Sequence, residues 1–460
     1  LMPVLPMKDT VYTSLDGGKS VSALLDRRTV YAGQAPEVFL LGRYYEANRK
    51  LLPERIREIN GSTEPAILDG MEVVMIPGDE GNFKITTKAD LERFERIMAE
   101  RQMRNYNWRR KKMKAWVLHG IGDLRLEEVK RPAPGEQEVL VRVKAAGICG
   151  SDIPRIYQTG AHIHPLIPGH EFSGVVAETG KGVSADWQGK RVGVFPLIPC
   201  GGCDPCQDRH YELCRNYSYI GSRRDGAFAE YAAVPVQNLI PLPQEVSFEE
   251  AAMLEPMAVA VHAMRRAQPK TSDTVAVCGL GTVGLLLTMF LLEAGAEKLL
   301  VIGKKEFQKQ AVCKMGLSRE AYCDSREQEV SRWIREHTGG KGADVFFECV
   351  GKEETYRLSV DNAAPLGKVL LVGNPFSDMS LSKNEYWKIL RNQLTVTGTW
   401  NSAFLGEPED DWEYVKKRLA GKRIAPAELI THRLALEDLG RGLLVMRDKT
   451  EDYGKMMVVL

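Results

Sequence analysis

The sequence predicts an α/β protein: a β-rich domain, a doubly wound parallel sheet, and a separate amino-terminal unit. Three observations carry this. From about Thr274, apolar strands alternate with helices: TVAVCG, the helix VGLLLTMFLLEAG, then KLLVIG, ADVFFECVG, GKVLLVG and LTVTGTW. Apolar strands separated by helices belong to a sheet covered on both faces. From Met113 up to that region, KAWVLHG, LRLEEV and EVLVRVKAAGIC are short strands with turn signals between them. Residues 1 to about 104 stand apart and end in a helical pattern, KADLERFERIMAERQ. After them RQMRNYNWRRKKMK is dense in arginine and lysine without apolar periodicity, so residues 105–112 are expected to be a basic linker. An RNA-binding patch is the sharper alternative for so short a basic run.

The totals limit the function classes. A chain of 460 residues corresponds to about three ordinary domains. Hydrophobic content of 44% and charged content of 27% fit a globular protein. A net charge of +1 gives no overall pull toward nucleic acid or anionic membrane. No apolar run reaches the roughly 20 residues that span a bilayer. The start, LMPVLPMKDTVYTS, lacks the basic and apolar regions of a signal peptide, so a cytoplasmic location is expected. Five of the nine cysteines have metal-ligand context, and Cys278, Cys313, Cys323 and Cys349 are scattered. That favours a reducing compartment over a disulfide framework.

Cys200, Cys203, Cys206 and Cys214 share the stretch IPCGGCDPCQDRHYELC. Four thiolates on a tight loop fill a tetrahedral zinc shell and leave no place for substrate, so this site is expected to be structural. A second, open zinc site is expected nearby. Cys149 lies in GICGSD, His170 and Glu171 in PGHEFSG, and Glu255 in LEPMAV. The glycines allow turns that aim these groups at one point. One thiolate, one imidazole and one or two carboxylates hold zinc while keeping a position for water or a substrate oxygen. Taken singly, Cys149 or His170 reads as an ordinary packed core residue; the cysteine cluster beside them changes that.

Gly279, Gly281 and Gly284, in GLGTVG with Thr282 and Val283 between them, follow a strand and open a helix. This is the frame in which a glycine turn binds the pyrophosphate of a dinucleotide. The second strand ends in Gly303 followed by Lys304 and Lys305, where an acid would bond the adenosine ribose. Two ammonium groups in place of a carboxylate favour a 2′-phosphate, hence NADP(H) over NAD(H). The simpler alternative is that both lysines are ordinary surface residues and that Glu306 is the acid.

Residues 113–460 resemble the zinc-dependent medium-chain alcohol/polyol dehydrogenases, most of all the galactitol-1-phosphate 5-dehydrogenases. The likeness runs through CGSDIPRIYQTGAHIHP, PGHEFSG, the cysteine cluster, IGSRRDGAFAEY and LRNQLTVTGTW. It implies a GroES-like catalytic domain (113–264 and 398–460) with a Rossmann domain (265–397) inserted. It implies Cys149, His170 and Glu255 as catalytic zinc ligands with Glu171 close by, Ser151 on the proton path, and two zinc ions per chain. It further implies a small sugar- or polyol-phosphate substrate, no nucleic-acid partner, and a homodimer or homotetramer. Gly303-Lys304 departs from the family's usual aspartate and is similar to the NADPH-using ribulose-5-phosphate reductases. Arg223 and Arg224 in GSRRDG are candidates for the substrate phosphate. An ion pair with Asp225 is the equal alternative.

Residues 1–100 resemble the carboxy-terminal part of 2-C-methyl-D-erythritol-4-phosphate and ribitol-5-phosphate cytidylyltransferases. PMKDTVYTS, LLDRRTVYAGQAPEVF and GNFKITTKADL carry that likeness, and Arg27 and Lys84 match phosphate-contacting positions. The family's glycine-rich CTP loop has no counterpart in the sequence, so cytidylyl transfer is not expected of it. Truncation is the expected cause, in keeping with the initial Leu1. A cytidylyltransferase with a regulatory dehydrogenase part, and a zinc scaffold without activity, are the alternatives of other classes.

Overall fold

Six parallel strands form the nucleotide-type sheet. Their order across it is Tyr322–Asp324, Lys298–Gly303, Thr274–Cys278, Ala343–Glu348, Ala363–Leu371 and Thr395–Gly398. Every neighbouring pair runs parallel. Numbered along the chain, the order is 3-2-1-4-5-6, the doubly wound arrangement with its crevice beyond the carboxyl ends of the first and fourth strands. The helix Thr282–Glu293 is apolar almost all round and is buried from Gly284 to Leu291, because it lies between the sheet and the helix Leu254–Ala267.

The β-rich part is built on the strand Glu138–Ile148. It pairs antiparallel with Glu171–Thr179, with Tyr231–Pro235 and with Lys455–Val459. The strands Ile430–Leu434 and Lys455–Val459 therefore return to the sheet laid down before the nucleotide-type part, and they pair parallel with each other. Strand register decides the function. Gly147 faces Glu171, and Met456 faces Ile148. The segment after Ile148, the start of Glu171–Thr179 and the start of Lys455–Val459 thus meet at one end of the sheet.

The computed structural model describes residues 1–35, 37–79, 81, 82, 85, 87–98, 112–375 and 377–460. Two compact units divide the chain, Leu1–Arg109 and Arg110–Leu460. Most of the expected basic linker lies outside the described residues, and Lys112 already belongs to the strand Lys112–Gly120. The amino-terminal unit has a three-stranded sheet in the order Tyr31–Gly33, Met2–Pro6, Met75–Pro77. A small hairpin, Val11–Thr13 with Ala23–Leu25, accompanies it. Its helices are Leu41–Arg49, Glu64–Leu68 and residues 88–98. Among the described residues no helix is long and apolar enough to cross a membrane.

Candidate active site

The three strand ends bring Cys149, His170 and Glu171 together, with ligand atoms all within 4.8 Å of one another. A Cβ on Gly147 would overlap the Glu171 carboxylate and stand 2.7 Å from Lys455 Cε, so only glycine leaves room for this junction. Asp152, fully buried at the start of the helix Asp152–Tyr157, orders the cluster. Its Oδ2 accepts from Cys149 N–H at 3.0 Å and its Oδ1 from Arg155 Nη1 at 2.5 Å. His170 Nδ1 lies 3.5 Å from Asp152 Oδ1, so a proton held there leaves Nε2 as the lone-pair donor to a metal. Burial opposes a charged His170, but the Asp152 and Cys149 charges outweigh it and raise its pKa well above the usual value. The exposed Ser151 hydroxyl lies 3.3 Å from Cys149 Sγ.

Glu255 falls outside that three-residue set. It sits in the first turn of Leu254–Ala267, and Tyr219 Oη donates to its Oε1 at 3.2 Å. Burial pushes its pKa up to about 7, and the charges of His170, Glu171 and Lys455 all act on it. Glu171 is engaged elsewhere. It forms a buried ion pair with Lys455, whose Nζ also donates to Ile148 O at 3.0 Å. Asp152, Tyr219 and Lys455 were not singled out in the sequence. A signal for Asp152 existed, since it stands three residues after Cys149 in GICGSD. Nothing local marks Tyr219 or Lys455.

The four cysteines of the loop also stand together. Cys203 Sγ lies 3.5 Å from Cys206 Sγ and 3.9 Å from Cys214 Sγ, and all four sulfurs lie within 4.8 Å. A tetrahedron with the usual zinc–sulfur bond has edges of about 3.8 Å. The Gly202 N–H, Cys214 and the Cys203 N–H draw the Cys200 pKa down to about 6, while burial lifts that of Cys206 to about 12. Four thiolates together in so small a volume need a divalent cation to offset their repulsion. The donor sets of both clusters fit zinc.

The glycine turn opens Thr282–Glu293 as its frame requires. Gly279 has φ +96°, a Cβ on it would meet Cys349 backbone at 3.1 Å, and Gly281 faces open space. A Cβ on Gly284 would overlap Gly279 O, so this glycine sets the close approach of helix to turn. Thr282 Oγ1 donates to Gly454 O at 3.5 Å, and Val283 packs on the core. At the end of the second strand, a Cβ on Gly303 would stand 2.8 Å from Gln308 Oε1 and 2.9 Å from the Tyr322 ring. The two lysines part company. Lys305 pairs with Asp452 at 2.9 Å and lies over the Tyr453 ring, whereas Lys304 is exposed.

The paired arginines also separate. Arg224 Nη2 donates to Glu138 Oε1 at 2.6 Å, and Asp225 Oδ1 instead accepts from Ile167 N–H. Arg223 lies on the Tyr217 ring, 4.5 Å from its centroid. In the amino-terminal unit Arg27 is exposed and donates to Lys8 O at 3.3 Å. Lys84 lies outside the described residues.

Comparison with known proteins agrees with this geometry. Residues 135–244 match the alcohol dehydrogenase GroES-like domain, and residues 282–420 match the zinc-binding dehydrogenase domain. Residues 1–100 match 2-C-methyl-D-erythritol 4-phosphate cytidylyltransferase. Galactitol 1-phosphate 5-dehydrogenase of Escherichia coli K12 is 34% identical over 337 residues, covering 72% of this chain and 95% of that protein. A zinc-binding dehydrogenase of Sinorhizobium meliloti, solved with NADP, superposes with a TM-score of 0.70 at 29% identity, over 76% of this chain and 99% of its own. A protein of Escherichia coli CFT073 described as a short chain alcohol dehydrogenase, solved with NADH, gives 0.70 at 26% identity, over 76% of this chain and 100% of its own. The chain therefore belongs to the zinc-dependent medium-chain alcohol/polyol dehydrogenases, with a cytidylyltransferase-like unit at its amino end.

Proposed function

We propose that this dehydrogenase interconverts a phosphorylated polyol and its ketose phosphate, that it favours NADPH, and that it works chiefly as a ribulose-5-phosphate reductase. The observation that carries the cofactor preference is the end of the second strand. Gly303 is closed in by Tyr322 and Gln308, no carboxylate occupies its place, and Lys304 stands exposed beside it. An ammonium there attracts a 2′-phosphate. Of two solved neighbours with equal TM-scores one holds NADP and the other NADH, so the preference rests on this strand end alone. The fused cytidylyltransferase-like unit supports the substrate. A pentitol phosphate made by one unit is the acceptor that such a transferase would convert to a CDP-alditol.

Cys149, His170 and Glu255 would hold the catalytic zinc, and Cys200, Cys203, Cys206 and Cys214 the structural one. With zinc bound there, the site would have a Lewis acid for the ketone oxygen. The Gly279–Gly284 turn would hold the pyrophosphate of a nicotinamide dinucleotide, the source of the hydride. Asp152 fixes the tautomer and the ring of His170. Lys455 keeps Glu171 occupied, which leaves Glu255 as the carboxylate for the metal. Ser151, at the surface and beside Cys149, relays the proton between solvent and substrate oxygen.

Oxidation of galactitol 1-phosphate with NAD is the second reading. The relative at 34% identity favours it, as does the engagement of Lys305 by Asp452, which leaves one lysine rather than two for a 2′-phosphate. Assays of ribulose 5-phosphate and tagatose 6-phosphate, each with NADPH and NADH, separate the two. The first reading expects the highest kcat/KM for ribulose 5-phosphate with NADPH. The highest value for tagatose 6-phosphate with NADH would replace it by the second.

A further inference from the structure

We propose that Arg223, and not its neighbour Arg224, reads the phosphate of the substrate. This rests on the reading of the substrate as a phosphorylated polyol.

The turn that carries Arg223 is tied to the turn that carries His170. Its own backbone bonds close it: Gly221 N–H donates to Arg224 O at 2.8 Å, and Arg223 N–H to Tyr219 O at 2.9 Å. A Cβ on Gly221 would stand 2.5 Å from Gly169 O, and a Cβ on Gly226 would overlap the same oxygen. Gly169, at φ +99°, is itself closed in by Phe228, whose N would lie 2.8 Å from its Cβ. Three glycines thus press the two turns together with no slack. Arg223 is thereby held in a set position relative to the residue after Gly169, which is His170.

A row of rings leads from the metal cluster to that arginine. Tyr219 meets His170 edge-on, with centroids 5.8 Å apart, and Tyr217 meets Tyr219 at 6.2 Å. The Arg223 guanidinium rests on the Tyr217 face. Stacking fixes the plane of a guanidinium but leaves its in-plane N–H groups free to meet two phosphate oxygens at once.

The charges nearby are uneven. Arg155 is bound by the buried Asp152, and Arg224 by Glu138. Among the described residues Arg223 has no carboxylate partner. His162, on the exposed loop after the helix Asp152–Tyr157, has its pKa lowered by burial and then by the charges of Arg223 and Arg155. Positive charge at this place is therefore uncompensated, next to a ring row that ends at the metal cluster. A dianionic phosphate is the ligand chemistry that satisfies it.

The test uses the zinc-loaded full chain with two substrate pairs, ribitol 5-phosphate against ribitol and galactitol 1-phosphate against galactitol. The wild type is expected to prefer the phosphorylated member. Arg223→Met should lower kcat/KM for that member by about 100-fold while changing the free polyol less than about threefold. Arg223→Lys, which keeps the charge but not the fork, should fall between. Arg224→Gln should leave the phosphate preference intact, and zinc content reports whether each variant is folded. If Arg223→Met and Arg223→Lys both keep the wild-type preference, or if Arg224→Gln abolishes it, the assignment to Arg223 is overturned and the substrate reading stands. A wild type indifferent to the phosphate overturns the substrate reading itself, and the assignment with it.

Discussion

At the metal cluster two carboxylates are available to one cation, and Lys455 distinguishes them. Its ammonium is 1% exposed and is committed to Glu171 and to Ile148 O. Among the described residues Glu255 is bonded by the Tyr219 hydroxyl alone. Glu255→Gln is therefore expected to reduce zinc from two ions to one per chain, as measured by atomic emission after dialysis. Glu171→Gln should keep both ions but leave a buried ammonium without its partner. A broken buried pair costs about 3–5 kcal/mol, so its thermal midpoint should fall sharply. Zinc loss in Glu171→Gln and retention in Glu255→Gln would exchange the two roles. Asp152→Asn tests the support behind them. It should weaken zinc at this site by about 10–100-fold in competition with a chelator, because His170 loses the carboxylate that orients it.

Among the elements, the strand–turn–helix at Gly279–Glu293 and the cysteine loop were both legible in the sequence. In each, the chemistry is local: glycines required by a tight turn, or thiolates spaced within one loop. The end of the second strand was legible only in part. Its missing acid could be seen, but the pairing of Lys305 with Asp452 could not, because Asp452 arrives from a distant loop. Lys455 is the clearest case. It lies 284 residues from Glu171 and reaches it only through the pairing of Lys455–Val459 with Glu138–Ile148. No local pattern encodes such a meeting. These elements carry two further predictions. Lys304→Ala should reduce the NADP/NAD ratio of kcat/KM by about tenfold, roughly 1.4 kcal/mol, and Lys305→Ala by less, since its charge is already offset by Asp452. Gly303→Asp is a poor test of the same point, because its side chain would meet Tyr322 and Gln308. Cys206→Ser should remove the other zinc and lower the thermal midpoint, with Cys149, His170 and Glu255 still able to hold theirs.

At the scale of the whole molecule, the two units differ in how far each can stand alone. The dehydrogenase unit has its own cores, one on each face of the nucleotide-type sheet and one inside the β-rich sheet. The Escherichia coli relative aligns over 95% of its length using 72% of this chain, so a protein of that family exists without the amino-terminal unit. The strand Lys112–Gly120, which opens the second unit, pairs with Asp123–Lys130, and its Ala115 is fully buried. A chain of residues 112–460 should therefore fold and keep two zinc ions, with kcat/KM within about twofold of the full chain. In the amino-terminal unit Leu15, Leu40, Leu41, Val21 and Leu24 are all more than 60% exposed. With no glycine-rich CTP loop in the sequence, the full chain should release no pyrophosphate from CTP and ribitol 5-phosphate. Pyrophosphate release would show that the cytidylyltransferase-like unit acts within this chain. Loss of dehydrogenase activity from residues 112–460 would show that the two units form one working enzyme.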